Sequence, residues 1–71
     1  MEIKKGTILN INSIHGKTTV KAISDFDTEK DEWWPCVLES KYLNGVSRDW
    51  IKGEEYYLRR GLTEIISLEN V

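Results

Sequence analysis

The feature that most constrains this chain is its preference for side chains branched at Cβ. Isoleucine, valine and threonine supply 17 of the 71 residues, whereas Ala22 is the only alanine. Branched side chains have restricted χ1 angles and suit the pleated surface of a strand, whereas alanine is the strongest helix former. The composition therefore predicts a mostly β protein.

The length limits the chain to a single domain, residues 1–71, because two units would each have too little interior to stay folded. Cys36 is the only cysteine, so a disulfide within the chain is excluded. One cysteine and one histidine, His15, cannot supply the four ligands of a structural zinc site. We therefore expect no metal and no cofactor. The lone thiol and the absence of an apolar leader favour a cytoplasmic location.

Alternating apolar residues and turn residues predict five strands, and no apolar run is long enough to cross a membrane. The shortness of the strands and the tight turns between them favour a small antiparallel SH3-like barrel, since an OB-fold usually needs a longer chain. The predicted strands are Thr7–Ile14, Thr18–Phe26, Trp33–Glu39, Glu54–Arg60 and Thr63–Leu68.

One short helix is expected between the third and fourth strands. Two segments qualify, Ser40–Asn44 before Gly45 and Ser47–Lys52 before Gly53, and we expect one of them to form. Pro35 has no amide hydrogen, so its strand is predicted to be an edge strand unless Pro35 lies at its start or in a bulge.

The tryptophan pair carries the main functional hypothesis. Adjacent residues of a strand face opposite sides, so Trp33 and Trp34 cannot both enter one core. One of them is therefore either an exposed recognition residue or covered by the short helix, through Tyr42, Leu43 or Trp50. Together with the acidic loop before them, the two tryptophans form the predicted binding surface of a non-enzymatic protein-binding module. The loop residues assigned to that surface are Asp27, Asp31 and Glu32.

A single-stranded nucleic-acid binder is the alternative hypothesis. Arg59 and Arg60 would contact phosphates while Trp50 or Tyr57 stacks on a base. The formal net charge is −2 and there is no basic block, so the sequence favours a protein partner over nucleic acid.

Two catalytic or metal patterns are considered and rejected. Asp25, Asp27 and Glu29 have the spacing that begins a calcium loop, but the required sixth-position glycine and twelfth-position glutamate are absent. Cys36 and His15 have no orienting third residue, and a thiol inside an apolar strand is typically a buried hydrophobe.

Four segments resemble the YorP family, short proteins of Bacillus temperate phages and prophages, and the resemblance would extend over essentially the whole chain. The resemblance implies five strands with an inserted helix and a phage origin, and it implies no activity. The segments are Ala22–Asp27, Trp33–Pro35, Arg48–Trp50 and Gly53–Leu62.

Overall fold

The computed structural model describes residues 1–45 and 49–69, and over these residues the chain contains strands and turns but no helix. This confirms the mostly β prediction. The described residues form seven strands in two antiparallel sheets. The strands are β1 (Glu2–Ile3), β2 (Ile8–Ser13), β3 (Gly16–Ala22), β4 (Phe26–Asp27), β5 (Trp33–Leu38), β6 (Glu55–Arg59) and β7 (Thr63–Glu69).

The larger sheet has the strand order β6-β5-β3-β2-β7, and β1 pairs with β4 in a separate two-stranded sheet. Alternate residues of the central strands point to one side, where they form the hydrophobic core. The buried core residues are Ile3, Leu9, Ile11, Val20, Ala22, Phe26, Trp34, Cys36, Leu38 and Leu58.

The predicted second strand, Thr18–Phe26, is wrong as a single element. β3 ends at Ala22, and the chain bends before Phe26 leaves the larger sheet to pair with Ile3 of β1. The bend is held by Asp25, whose Oδ1 accepts the Lys5 N–H at 2.7 Å. β1 and β4 have two residues each, too few to produce a visible alternation in the sequence.

The short helix at Ser40–Asn44 is not formed. Leu43 instead exchanges two backbone hydrogen bonds with Lys17, at 2.7 and 3.2 Å, so the segment pairs with the start of β3. Asn44, at the end of this segment, takes the left-handed conformation with φ of 58°. Of the alternative Ser47–Lys52, residues 47 and 48 lie outside the described residues, and residues 49–52 are not helical.

The larger sheet is not a closed barrel in the described residues. β6 and β7 lie at its two ends, and only the isolated bridge between Arg60 and Thr63 joins their adjoining ends. The prediction of a closed five-stranded barrel is therefore too specific, because closure requires a continuous ladder between the first and last strands.

Pro35 lies in an interior strand, since β5 is between β3 and β6. The ladder between β3 and β5 starts at Ala22 and Cys36, and on the β3 side Pro35 only accepts, its carbonyl receiving the Ile23 N–H at 3.1 Å. The missing amide hydrogen of Pro35 therefore falls just beyond the end of the β3 ladder. The edge-strand prediction is wrong for β5 as a whole, and Pro35 lies near the start of the strand.

Candidate protein-docking surface

β5 places its two tryptophans in opposite environments, as the period of a strand predicts. Trp34 is only 3% exposed, its ring stacks on Phe26 with centroids 5.5 Å apart, and its Nε1–H donates to the Asp31 carbonyl at 2.9 Å. Trp33 is 54% exposed. The helix proposed to cover the outer tryptophan is absent from the described residues, and Leu43 and Trp50 are themselves exposed.

The exposed Trp33 ring is held by a neighbour across the strand pair. Trp33 is opposite Arg59 in the β5–β6 register, and the Arg59 guanidinium carbon lies 5.5 Å from the Trp33 ring centroid. Arg59 Nη2 also contacts Glu32 Oε1 at 3.0 Å. A carboxylate, a guanidinium and an indole thus form one contact chain, which restricts Trp33 while leaving its ring accessible.

Other apolar side chains extend this exposed area. Tyr57 precedes Arg59 by two residues on the outer face of β6 and is 54% exposed. Ile14 and Leu62 are also exposed, and both lie with Trp33 around one cavity. We call this area the Trp33 surface, and its residues are Ile14, Trp33, Tyr57, Arg59 and Leu62.

The cavity has a volume of about 190 Å³ and lies between β6 and the turn that joins β2 to β3. One wall is the turn with Ile14 and His15, and another is formed by β6. His15 packs edge-on against Tyr56, with ring centroids 6.3 Å apart, and supports the turn against β6. The cavity is therefore a fixed recess of the fold, large enough for one apolar side chain.

The acidic loop is held by hydrogen bonds from its backbone N–H groups to its own carboxylates. Asp27 Oδ1 accepts the N–H groups of Glu29 and Lys30 at 2.8 and 3.2 Å. The Asp27 N–H donates to Asp31 Oδ2 at 2.7 Å. The hydrogen bond from the Glu29 N–H is the largest cause of the lowered pKa of Asp27. Asp27 and Asp31 therefore fix the loop, and of the predicted loop residues Glu32 reaches the Trp33 surface, through Arg59.

The structure does not bring Trp50 together with the arginines of the nucleic-acid hypothesis, whereas Tyr57 shares the outer face of β6 with Arg59. Trp50 is exposed and precedes Gly53, whose N–H donates to the Leu38 carbonyl at the end of β5 opposite Trp33. Arg60 follows β6 at the Trp33 end, where its guanidinium donates to the Glu29 carbonyl. The five residue steps of β5 separate these ends by about 17 Å.

Cys36 is fully buried in β5, and burial raises the pKa of its thiol to about 12. At neutral pH the thiol is protonated, so it is a poor nucleophile. His15 packs against Tyr42 and Tyr56. Cys36 therefore behaves as a core residue, as the sequence analysis argued.

Sequence reasoning missed Ile14 and Leu62 as members of the surface. Leu62 directly follows Gly61 and Ile14 is two residues before Gly16, in turns where polar residues are usual. A large apolar residue in a tight turn is the sequence signal that indicates such a surface. Which residues lie across the cavity from it depends on how the strands pair in the folded sheet.

No family model, curated protein or solved structure matches this chain. Among the described residues there is no group of three or more potential metal-ligating side chains. Within the same part of the chain, no helix has the length and apolar character to cross a membrane.

Proposed function

We propose that this protein is a non-enzymatic binding module and that a partner protein docks on the Trp33 surface. The observation that carries the proposal is the exposure of Trp33 beside Arg59 and an apolar cavity. Tryptophan, tyrosine and arginine dominate the binding energy of protein interfaces, and their restricted side chains lose little entropy on binding. The partner would place an apolar side chain in the cavity between Ile14 and Leu62.

The chain's only thiol supports a binding role over a thiol-based reaction. Cys36 is enclosed in the core with a raised thiol pKa, whereas the exposed aromatic residues lie on the opposite side of β5. The thiol thus contributes to core packing, whereas the rings of Trp33 and Tyr57 are exposed.

We also propose a more specific fold and an origin for this protein. The strand order of the larger sheet and the Arg60–Thr63 bridge support an SH3-like barrel left open between β6 and β7. The YorP resemblance of the sequence supports a Bacillus phage or prophage origin. On this proposal the partner is a host or phage protein in the bacterial cytoplasm.

Affinity capture with matched tryptophan variants tests the proposal. The purified protein, its Trp33→Ala variant and its Trp50→Ala variant are immobilised and exposed to a Bacillus lysate, and bound proteins are identified by mass spectrometry. Trp50 is the matched control, since it is also an exposed tryptophan but lies at the other end of β5. We expect a protein that is retained by wild type and Trp50→Ala and lost with Trp33→Ala.

The captured protein is then purified and titrated into each variant by calorimetry. We expect Trp33→Ala to weaken binding by at least about 2 kcal/mol, as truncation of an interface hot spot does. Equal affinity for wild type and Trp33→Ala would refute the assigned surface. Oligonucleotide binding that depends on Trp50 and not on Trp33 would instead favour the nucleic-acid hypothesis.

A further inference from the structure

The outer edge of β6 presents backbone groups that β5 does not use. The Arg60 N–H donates to the Glu32 carbonyl, and the Leu38 N–H donates to the Glu54 carbonyl. Hydrogen-bonded pairs alternate along an antiparallel ladder, so the backbone groups of Tyr56 and Leu58 face β5.

The backbone groups of Glu55, Tyr57 and Arg59 consequently point away from β5, and the Arg59 carbonyl also accepts the Leu62 N–H of the following turn at 3.2 Å. Within the described residues no strand pairs with this edge, because β6 is the last strand of the sheet order. An uncovered edge of this kind is a template for pairing with another strand.

The side chains of the same three residues are self-complementary. Glu55, Tyr57 and Arg59 share the exposed outer face of β6 and are centred on Tyr57. In an antiparallel pairing of two copies about Tyr57, Glu55 of each copy would lie opposite Arg59 of the other. Opposite charges on directly paired residues stabilise a ladder, and aromatic pairs do the same.

The Arg59 guanidinium has N–H groups beyond those that contact Glu32. Its Nε and Nη2 contact Glu32 Oε1 at 3.3 and 3.0 Å, and a guanidinium has five N–H groups in total. The Tyr57 hydroxyl contacts Glu55 Oε2 at a long 3.4 Å. A second copy would therefore add contacts to both charged residues without removing the contact between Arg59 and Glu32.

The other edge strand lacks these properties. β7 has a bulge at its pairing with Asn10 and Ile11, and bulges interrupt edge-to-edge pairing. Its charged residues are Glu64 and Glu69, both acidic, so pairing of two β7 strands forms no cross-strand pair of opposite charges. The contrast between the two edges favours β6.

We propose that β6 pairs with β6 of a second copy of this chain, which makes the protein a two-fold symmetric dimer with one continuous sheet. Tyr57 lies on the two-fold axis, and the two Glu55–Arg59 pairs flank it. The arrangement places both Trp33 rings on one extended face. It does not depend on the identity, or the existence, of the partner in the proposed function.

Complementary charge variants test the dimer. Mass is measured by sedimentation equilibrium over a range of protein concentrations for wild type, Glu55→Arg, Arg59→Glu and an equimolar mixture of the two variants. We expect wild type to approach twice the chain mass and each single variant to remain monomeric or dimerise at least about tenfold more weakly, because like charges then oppose each other. The mixture restores opposite charges at every pair and should dimerise.

Glu64→Arg is the matched control, since it makes the same charge change on β7 and should leave the dimer intact. Circular dichroism of each variant verifies that the sheet is folded. A wild-type chain that is monomeric at every concentration would overturn the proposal. A Glu55→Arg variant that dimerises like wild type, or a mixture of the two variants that stays monomeric, would overturn it equally.

Discussion

The two faces of β5 differ in what their side chains contribute. On the inner face Trp34 and Cys36 are enclosed by the core, and the indole of Trp34 has both a stacking partner and a hydrogen-bond acceptor. On the outer face Trp33 has one lateral partner, Arg59, and an open ring. The same residue type is therefore a core residue at one position and a surface residue at the next. The pleat of the strand, rather than side-chain hydrophobicity, decides between these roles.

Truncation of the two tryptophans should show the largest difference between the faces. Trp34→Ala removes a buried ring, its stack on Phe26 and its hydrogen bond, so we expect a loss of about 3–5 kcal/mol in the free energy of unfolding. A domain of this size has a total stability near that value, so the variant should be largely unfolded. Trp33→Ala should cost about 1–2 kcal/mol, less than Trp34→Ala, because about half of the Trp33 surface is already in water.

Urea denaturation followed by circular dichroism measures both variants. Comparable losses for Trp33→Ala and Trp34→Ala would contradict the assignment of the two faces. Trp34→Phe provides the milder comparison, since it keeps an aromatic ring and removes the N–H group that donates to Asp31.

Burial of the Cys36 thiol on the inner face makes the free energy of unfolding depend on pH. Burial raises its pKa from 9.0 to about 12, so between these values the unfolded chain releases a proton that the folded chain retains. The stability is unaffected below pH 9 and falls as the pH rises from 9 to 12. One unit above the unfolded pKa, at about pH 10, the loss should be about 1.4 kcal/mol.

Comparison with Cys36→Ala isolates this contribution, because lysines and tyrosines titrate equally in both proteins. We expect the stability difference between wild type and Cys36→Ala to shift by that amount between pH 8 and pH 10, measured by urea denaturation. A pH-independent difference would mean that the thiol is accessible to solvent in the folded protein.

Local sequence signals predicted much of the fold. The Trp33–Glu39 prediction matches β5 to one residue, and Glu54–Arg60 matches β6 to one residue at each end. These strands follow from alternation and turn residues close in sequence, and so did the opposite placement of Trp33 and Trp34. The sequence alone could not show which of the two tryptophans is exposed, because this depends on the side of the sheet on which Phe26 packs.

The incorrect predictions concern contacts between distant segments. The helix at Ser40–Asn44 is replaced by pairing of Leu43 with Lys17, and β4 leaves the larger sheet because Phe26 pairs with Ile3. Short segments have weak intrinsic preferences, so such long-range backbone pairs override them. The cavity at Ile14 and Leu62 belongs to the same class, because its walls come from segments far apart in sequence.

The coupling between Trp33 and Arg59 is the smallest expected effect, and it tests whether the outer face is ordered. A double-mutant cycle with Trp33→Ala and Arg59→Ala should give a coupling of about 0.5–1 kcal/mol, the magnitude of an exposed cation–π contact. Arg60 is the control, since it neighbours Arg59 in sequence but donates to the Glu29 carbonyl, and its cycle with Trp33 should give no coupling. Equal coupling for both arginines would indicate a general charge effect. A zero value for Arg59 would mean that the Trp33 ring rotates freely and that its restriction on β5 contributes nothing to partner binding.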